Sequence, residues 1–412
     1  MTPISRRAWR LAPLLVLLLG IWLSACAPAA RPDKTLTLAM IFPASGADAA
    51  VGAAMQRAVA LAVTQNASLP NGYTLTLTTI DEASLPGDEA ASSLAADSHV
   101  MGIVGPFDSQ TAAAMLPVVE QNGITTISPT ATLPGLTQSG QATTEGLTFA
   151  QLHPTGKPNV FFRAPQTDNA AGKVAADLAV APASAHGLAA HTIFIVDDST
   201  PSGKALAAAF KQELVVKHGA VAGQKSLTAD PQDNAQTIVS AIVEAAPDAV
   251  FFAGGIAPGA DLRSTLTLTG VPQLPILTVG PIAGDPTWSA TVGVVPAAAY
   301  TSAILPAPDL STIASAKTFT SAYQSAYPNQ DLLPQSAIAY DAAMDEITAI
   351  KALLTGGQPV TRAAVRAAVA ATKYPGITGT FAFDVNGDNT TALAYSLYTC
   401  DLKGTWHYQT HL

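Results

Sequence analysis

The chain has 412 residues, enough for two or three domains, and a formal net charge of -9. Hydrophobic residues make up 49% and charged residues only 12%, so there is ample material for large cores. No Lys/Arg run or basic patch occurs beyond the N-terminus, which argues against a nucleic-acid partner.

The N-terminus reads as a leader. Arg6, Arg7 and Arg10 precede an apolar stretch from Leu11 to Leu23. That stretch is shorter than the about 20 apolar residues a membrane span needs, so residues 1–25 read as a signal segment. It ends in Leu23-Ser24-Ala25-Cys26, which resembles the bacterial lipobox, with Cys26 as the lipidated residue. Cleavage there lowers the 20 basic residues to 17 against 29 acidic ones, a charge of -12. Cys400 is then without a partner, so no disulfide forms, and its apolar surroundings mark it as a buried strand residue. Residues 26–34, rich in Pro and Ala, read as a linker holding the globular part off the membrane.

Strands and Ala-rich helices then alternate. Thr35 to Phe42 is a predicted strand running into Pro43-Ala44-Ser45-Gly46, followed by a helix over Ala53 to Val63. Tyr73 to Ile80 is a strand ending at Asp81-Glu82, and Pro86 to Ala96 a helix. Val100 to Val104 is a short apolar strand stopped by Gly105-Pro106. Ser109 stands at the start of the next helix, and Ile124 to Ile127 leads into Ser128-Pro129-Thr130-Ala131-Thr132. Two strand ends thus carry hydroxyls and backbone N–H groups beside a helix N-terminus, a fitting seat for a carboxylate. The same residues also suit plain capping and turns.

After a long polar loop from Gly135 to Pro158, a second alternating set begins. Its predicted strands are Val160 to Arg163, His191 to Val196 (ending at Asp197-Asp198), Asp248 to Ala253, Ile276 to Val279 and Ala299 to Leu305. Asp168 is expected to cap a helix through Leu178, and helices follow at Lys204–Val216, Ala235–Ala246 and Pro258–Leu268. Three more lie near Thr312–Ala326, Ile338–Leu354 and Arg362–Ala371. The end reads as Gly379 to Asp384, an Asn386-Gly387 hairpin turn, and a strand from Leu393 to Cys400. Alternating βαβα units imply parallel sheets with helices on both faces, and two such sets imply two lobes with a cleft between them.

Catalytic signatures are missing: there is no GxSxG, GxxxxGK[ST], HExxH or CxxC. His186 and His191 have poor metal spacing, and His407 and His411 lie in a tail expected to be solvated. Asp384, Asn386 and Asp388 resemble the start of a calcium loop, but the glycine is misplaced and Tyr395 stands where the twelfth-position acid belongs, so a β-turn is the expected use. The acid pairs Asp81-Glu82 and Asp197-Asp198 could do acid/base work, although loop hydrogen bonds are the commoner use. The reading is of a protein that is not an enzyme and calls for no cofactor or metal.

Pro43-Ala44-Ser45-Gly46 with Gly52, Gly102 to Ser109, Ser128 to Thr137, Phe162-Arg163 with Asp168 and Gly172, Asp197 to Thr200, Gly254-Gly255, Ala339 to Ala342 and Gly379 to Asp388 occur in this order. Together they resemble the type I periplasmic binding proteins of the leucine/isoleucine/valine class, over nearly the whole mature chain. The resemblance implies an α/β fold of two Rossmann-like lobes with parallel sheets joined by a three-strand hinge. It places lobe 1 at 35–160 and 301–392, and lobe 2 at 161–300 and 393–412. It implies a lipid-anchored, extracytoplasmic solute-binding protein of an ABC importer. The expected solute is a small carboxylate-bearing compound, such as a branched-chain amino acid. The expected partners are that solute, the ABC permease and the membrane through the lipid, with the chain acting as a monomer.

In the family, residues matching Ser109 and Thr132 bind the solute carboxylate, with backbone groups at positions matching Phe107 and Thr130. The other lobe departs from the pattern. Ser202 stands for a tyrosine, Ile256 for an aromatic, and Ile282 for the acid that takes the ammonium. Asp285 or Asp261 could replace that acid; otherwise the solute lacks an ammonium. The alternative is a ligand-sensing or regulatory lipoprotein of the same fold without a transport role. A hydrolase on this fold is disfavoured by the missing nucleophile and base.

Overall fold

The computed structural model describes residues 33–412 except 145, 155, 229, 231, 232, 294 and 392. The leader, Cys26 and most of the linker lie outside the described residues. The chain divides into units 1–34 and Thr35–Leu412, and the fold is that of the second.

Five strands build the first sheet: β1 (Thr35–Phe42), β2 (Thr74–Asp81), β3 (Val100–Val104), β4 (Thr125–Ser128) and β5 (Phe161–Arg163). They run parallel in the order β2-β1-β3-β4-β5. β1, β3 and β4 are covered on both faces, which is why they read as unbroken apolar or β-branched runs. The connecting helices are α1 (Ala49–Gln65), α2 (Gly87–Ala96) and α3 (Ser109–Asn122). The Asp108 side chain caps α3 by accepting from Gln110 N and Thr111 N, so Ser109 is the first helical residue rather than the cap. That frees the Ser109 hydroxyl for other work.

The second sheet begins with β6 (Thr192–Asp197), β7 (Ala220–Ser226), β8 (Ala249–Ala253), β9 (Ile276–Val279) and β10 (Thr301–Leu305). These run parallel, with α4 (Asp168–Val180) leading into β6 and α5 (Pro201–Val216), α6 (Ala235–Ala245) and α7 (Ile256–Leu268) between the strands. The chain then returns to the first sheet through α8 (Ala316–Ala326), α9 (Pro334–Thr355) and α10 (Arg362–Ala370), α9 packing on α1, β3 and β4. A small hairpin, β11 (Tyr374–Pro375) with β12 (Thr380–Phe381), precedes β13 (Ser396–Cys400) and β14 (Trp406–His411). These last two add antiparallel strands beside β10.

Sheet membership corrects the expected lobe limits. β5 belongs to the first sheet and β10 to the second, so the crossings follow Arg163 and Leu305 rather than residues 160 and 300. The third crossing lies between β12 and β13. Asn386-Gly387 does sit in a turn, closed by Asp384 N to Asp388 O at 2.9 Å, but that turn does not join the two strands expected on either side. The C-terminal tail is not free: it forms β14, His407 meets Asp401 at 2.9 Å, and His411 meets Thr312 at 2.9 Å.

Arg163 marks the first crossing. Its guanidinium is fully buried and donates to Asp388 Oδ1 at 2.6 Å, Leu133 O at 2.8 Å and Pro134 O at 3.3 Å, and also to the Thr137 hydroxyl. Asp388 further accepts from Thr137 Oγ1 and Gln138 Nε2, both at 2.7 Å. The loop after β4 is thereby fastened to the segment that approaches the third crossing.

Behind β3, the carboxyl of Glu346 on α9 is fully buried, and burial pushes its pKa well above the usual range. It fits only because residue 102 has no side chain: a Cβ there would fall on the Glu346 carboxyl. Gly102→Ala should therefore destabilise the protein by ~1–3 kcal/mol, the ordinary cost of overpacking. Adding Glu346→Ala should restore most of the loss, as read by chemical denaturation. A Gly102→Ala protein as stable as the parent would contradict the packing described.

Candidate functional site

The C-terminal ends of the two parallel sheets open on a cleft of about 1040 Å³, partly exposed to solvent. Strand C-ends are where an α/β sheet presents backbone N–H groups and loops, so both walls are polar by construction.

The first-lobe wall is made by the turns after β3 and β4. Ser109 Oγ accepts from Thr132 N at 3.1 Å and Leu133 N at 3.2 Å. A hydroxyl that accepts two N–H bonds still has its own proton to donate, and Ser109 lines the cleft. Thr130 Oγ1 donates to Phe107 O at 2.7 Å, so this hydroxyl is already engaged. Glu82 accepts from Phe107 N at 2.7 Å and Asp108 N at 2.8 Å, which ties up the Phe107 backbone donor. Burial pushes the Glu82 carboxyl up to about 8, against the pull of those two N–H groups. Its partner Asp81 locks the loop after β1 by accepting from Ala44 N and Ser45 Oγ. The acid pair therefore shapes loops.

The second-lobe wall is built around Asp198 and Asp168. Asp198 accepts from Thr200 N and Oγ1 and from Gly255 N at 3.0 Å. Residue 254 must be glycine, because a Cβ would overlap the Asp198 side chain. Asp168 opens α4 as its first residue, the cap position being Thr167. It accepts from Ser202 Oγ at 2.6 Å, and Ser202 Oγ lies 3.4 Å from Thr132 Oγ1. Thr132 and Ser202 thus meet across the cleft over one carboxyl group. Burial pushes Asp168 up to about 6, although hydrogen bonds from Ser202 and Thr132 and the charge of Arg163 pull it down.

Ser109, Thr130, Thr132, Phe107 and Ser202 all line the cleft. Ile256 and Ile282 do not. Each is 1% exposed and packs in the core. Gly255 occupies the cap position of α7, so Ile256 is its first helical residue and turns inward. Gly280 and Pro281 take the cleft-facing place next to Ile282. Asp285 is buried against Thr287, and Asp261 lines a separate groove with Asp198. Asp48, Asp108 and Gln335 line the cleft without any sequence signal that singles them out; Asp198 had a signal, standing at a strand C-end.

Comparison with known proteins fits this architecture. The sequence matches the family described as periplasmic binding protein over residues 35–405. The chain belongs to that family. The family is one of binding proteins. Among curated proteins the sequence finds no match. Among solved structures, this periplasmic binding protein is similar to the branched-chain amino acid transporter substrate binding protein LivJ of Streptococcus pneumoniae in complex with isoleucine. The TM-score is 0.75 at 21% identity, covering 92% of this chain and 100% of that one. It is similar to the leucine binding protein LivK of Thermotoga maritima, with TM-score 0.74, 20% identity, and 92% and 98% coverage. A solute binding protein of R. palustris in complex with benzoate aligns with TM-score 0.69, 19% identity, and 92% and 96% coverage. These likenesses establish the type I fold. No helix among the described residues is long and apolar enough to cross a membrane.

Asp48 and Asp168, both pushed up to about 6, give the ligand-free protein an unusual pH response. Between pH 4 and 6 the folded state holds protons that the unfolded state has released. Unfolding free energy therefore falls as pH rises through that window. Asp341, up to about 6, and Asp345, up to about 7, act in the same sense. The melting temperature should be higher at pH 5 than at pH 7.5, and Asp168→Asn should reduce the difference. An equal or reversed difference in the parent protein would contradict the burial of these carboxyls.

Proposed function

We propose that the chain is the extracytoplasmic solute receptor of an ABC importer and holds a small carboxylate-bearing solute between its lobes. A branched-chain amino acid or a small aromatic acid fits this reading, since relatives of this fold are seen with isoleucine and with benzoate. The observation that carries it is the Ser109 hydroxyl: it faces the cleft, accepts two backbone N–H bonds, and keeps a proton for an anionic oxygen. The Thr132 hydroxyl beside it also lines the cleft, hydrogen-bonded to Asp168 and 3.4 Å from Ser202 Oγ. Cys26, lipidated, tethers the receptor to the outer face of the membrane, and the receptor works as a monomer that delivers its solute to the permease.

One observation favours a second reading, a sensing or regulatory lipoprotein without transport. The backbone groups expected on the solute, at Phe107 and Thr130, have their N–H bonds engaged within the protein, by Glu82 and by Ser128 Oγ.

Titration calorimetry with L-leucine, L-isoleucine, benzoate and 4-hydroxybenzoate separates the readings. The receptor reading expects binding of at least one acid. Ser109→Ala and Thr132→Ala should each weaken it by about 1–3 kcal/mol, the range for a hydrogen bond to an ionised group. Unchanged affinity in both variants removes the seat. Cys26→Ser should move the protein from the detergent phase to the aqueous phase on phase partitioning; retention in the detergent phase would refute the anchor.

A further inference from the structure

Two side chains on the first-lobe side of the cleft each hold a buried acceptor oxygen without a hydrogen-bond partner among the described residues. Gln335, near the start of α9, is 3% exposed and lines the cleft. Its Nε2 reaches Ala283 O at 3.4 Å, while its Oε1 is buried without a hydrogen-bond partner among the described residues. Asp48 lines the same cleft, and its Oδ1 is likewise buried and unpartnered. Asp48 stands at the cap position of α1, where a carboxylate normally accepts from the first turn, yet it makes no capping bond. Both unfilled atoms are acceptors. A buried acceptor without a donor is costly, so a donor is expected to arrive from outside.

The charges around them specify the donor's kind. Asp48, Asp108, Asp168 and Asp198 line the cleft, and among the described residues no Lys or Arg does. Asp108 and Asp285 lie near enough to push the Asp48 carboxyl further up, to about 6, so at pH 7.5 it is charged and uncompensated. Among the described residues no group of three or more His, Cys, Asp or Glu is placed to hold a metal ion. An organic cation with several N–H donors satisfies all of this.

We propose that Asp48 and Gln335 form a subsite for an ammonium group of the solute, doing the work expected of an acid at Ile282. The proposal deepens the receptor reading and rests on the same cleft. It assigns the charge-reading role to the first lobe, on the turn after β1 and the start of α9. A solute with both a carboxylate and an ammonium would then meet Ser109 with one group and Asp48 with the other.

The test is a binding panel of amines and acids sharing carbon skeletons: L-leucine, isopentylamine and 4-methylpentanoate, with benzylamine against benzoate and putrescine against succinate. At pH 7.5 at least one ammonium-bearing compound should bind, and at least tenfold more tightly than the acid of the same skeleton that lacks the ammonium. Asp48→Asn should weaken that compound tenfold or more, and Gln335→Leu several-fold, with melting temperatures near the parent's. Asp261→Asn, in the separate groove, should change nothing. If Ser109→Ala leaves L-leucine binding intact while Asp48→Asn abolishes it, the ammonium subsite stands and the carboxylate seat falls. A panel in which no ammonium compound binds, or in which Asp48→Asn and Gln335→Leu bind as the parent does, overturns the proposal.

Discussion

The Arg163 guanidinium is the contact on which the site depends. A cation fully removed from water needs both a counter-charge and acceptors for its N–H groups, or burial costs more than it returns. Asp388 supplies the charge; Leu133 O, Pro134 O and the Thr137 hydroxyl supply the acceptors. Each belongs to a segment that must be held still for the cleft to exist. Leu133 and Pro134 continue directly from Thr132, whose carbonyl accepts from Asp168 N at 2.9 Å. Asp388 lies just ahead of the third crossing. One buried cation thus sets the loop carrying Thr132, the first crossing and the approach to the last.

Within that frame the cleft is unbalanced in charge. Hydroxyls from Ser109, Thr132 and Ser202 meet a set of carboxyls, and the lining offers no basic side chain among the described residues. Asp198 and Asp108 are stabilised by backbone N–H groups around them. Asp168 has the Ser202 hydroxyl and the nearby Arg163. Asp48 has no such support, and among the described residues it alone of these carboxyls has a buried oxygen lacking a donor. Carboxyls crowded in a partly dry space raise one another's pKa, and an incoming cation relieves that strain. The electrostatics of the site and the chemistry of its solute are in this sense one problem.

Much of the fold is legible in the sequence. Thr35–Phe42, Val100–Val104 and Ile276–Val279 come out at their exact limits, because strands covered on both faces are bounded apolar runs. The edge strands β7 and β14 escape notice: half of each faces solvent, so Ala220–Ser226 and Trp406–His411 lack that pattern. Ser109 and Thr132 are legible through the ordered family motifs. Ile256 and Ile282 show the limit of such reasoning. Being next to a Gly-Gly or Gly-Pro pair does not fix which way a side chain points once a helix or turn begins there. Asp48 and Gln335, far apart in sequence, become one site only when α9 is laid beside the turn after β1.

The central claim is that a small solute is held between the two lobes, against the Ser109 wall on one side and the Asp168–Ser202 wall on the other. The most direct measurement is a crystal structure of the chain with its tightest-binding small solute. The account predicts solute density within hydrogen-bond distance of Ser109 Oγ, with the lobes in contact around it. Density at another surface, or a cleft filled by the protein's own side chains with the solute bound elsewhere, would contradict it.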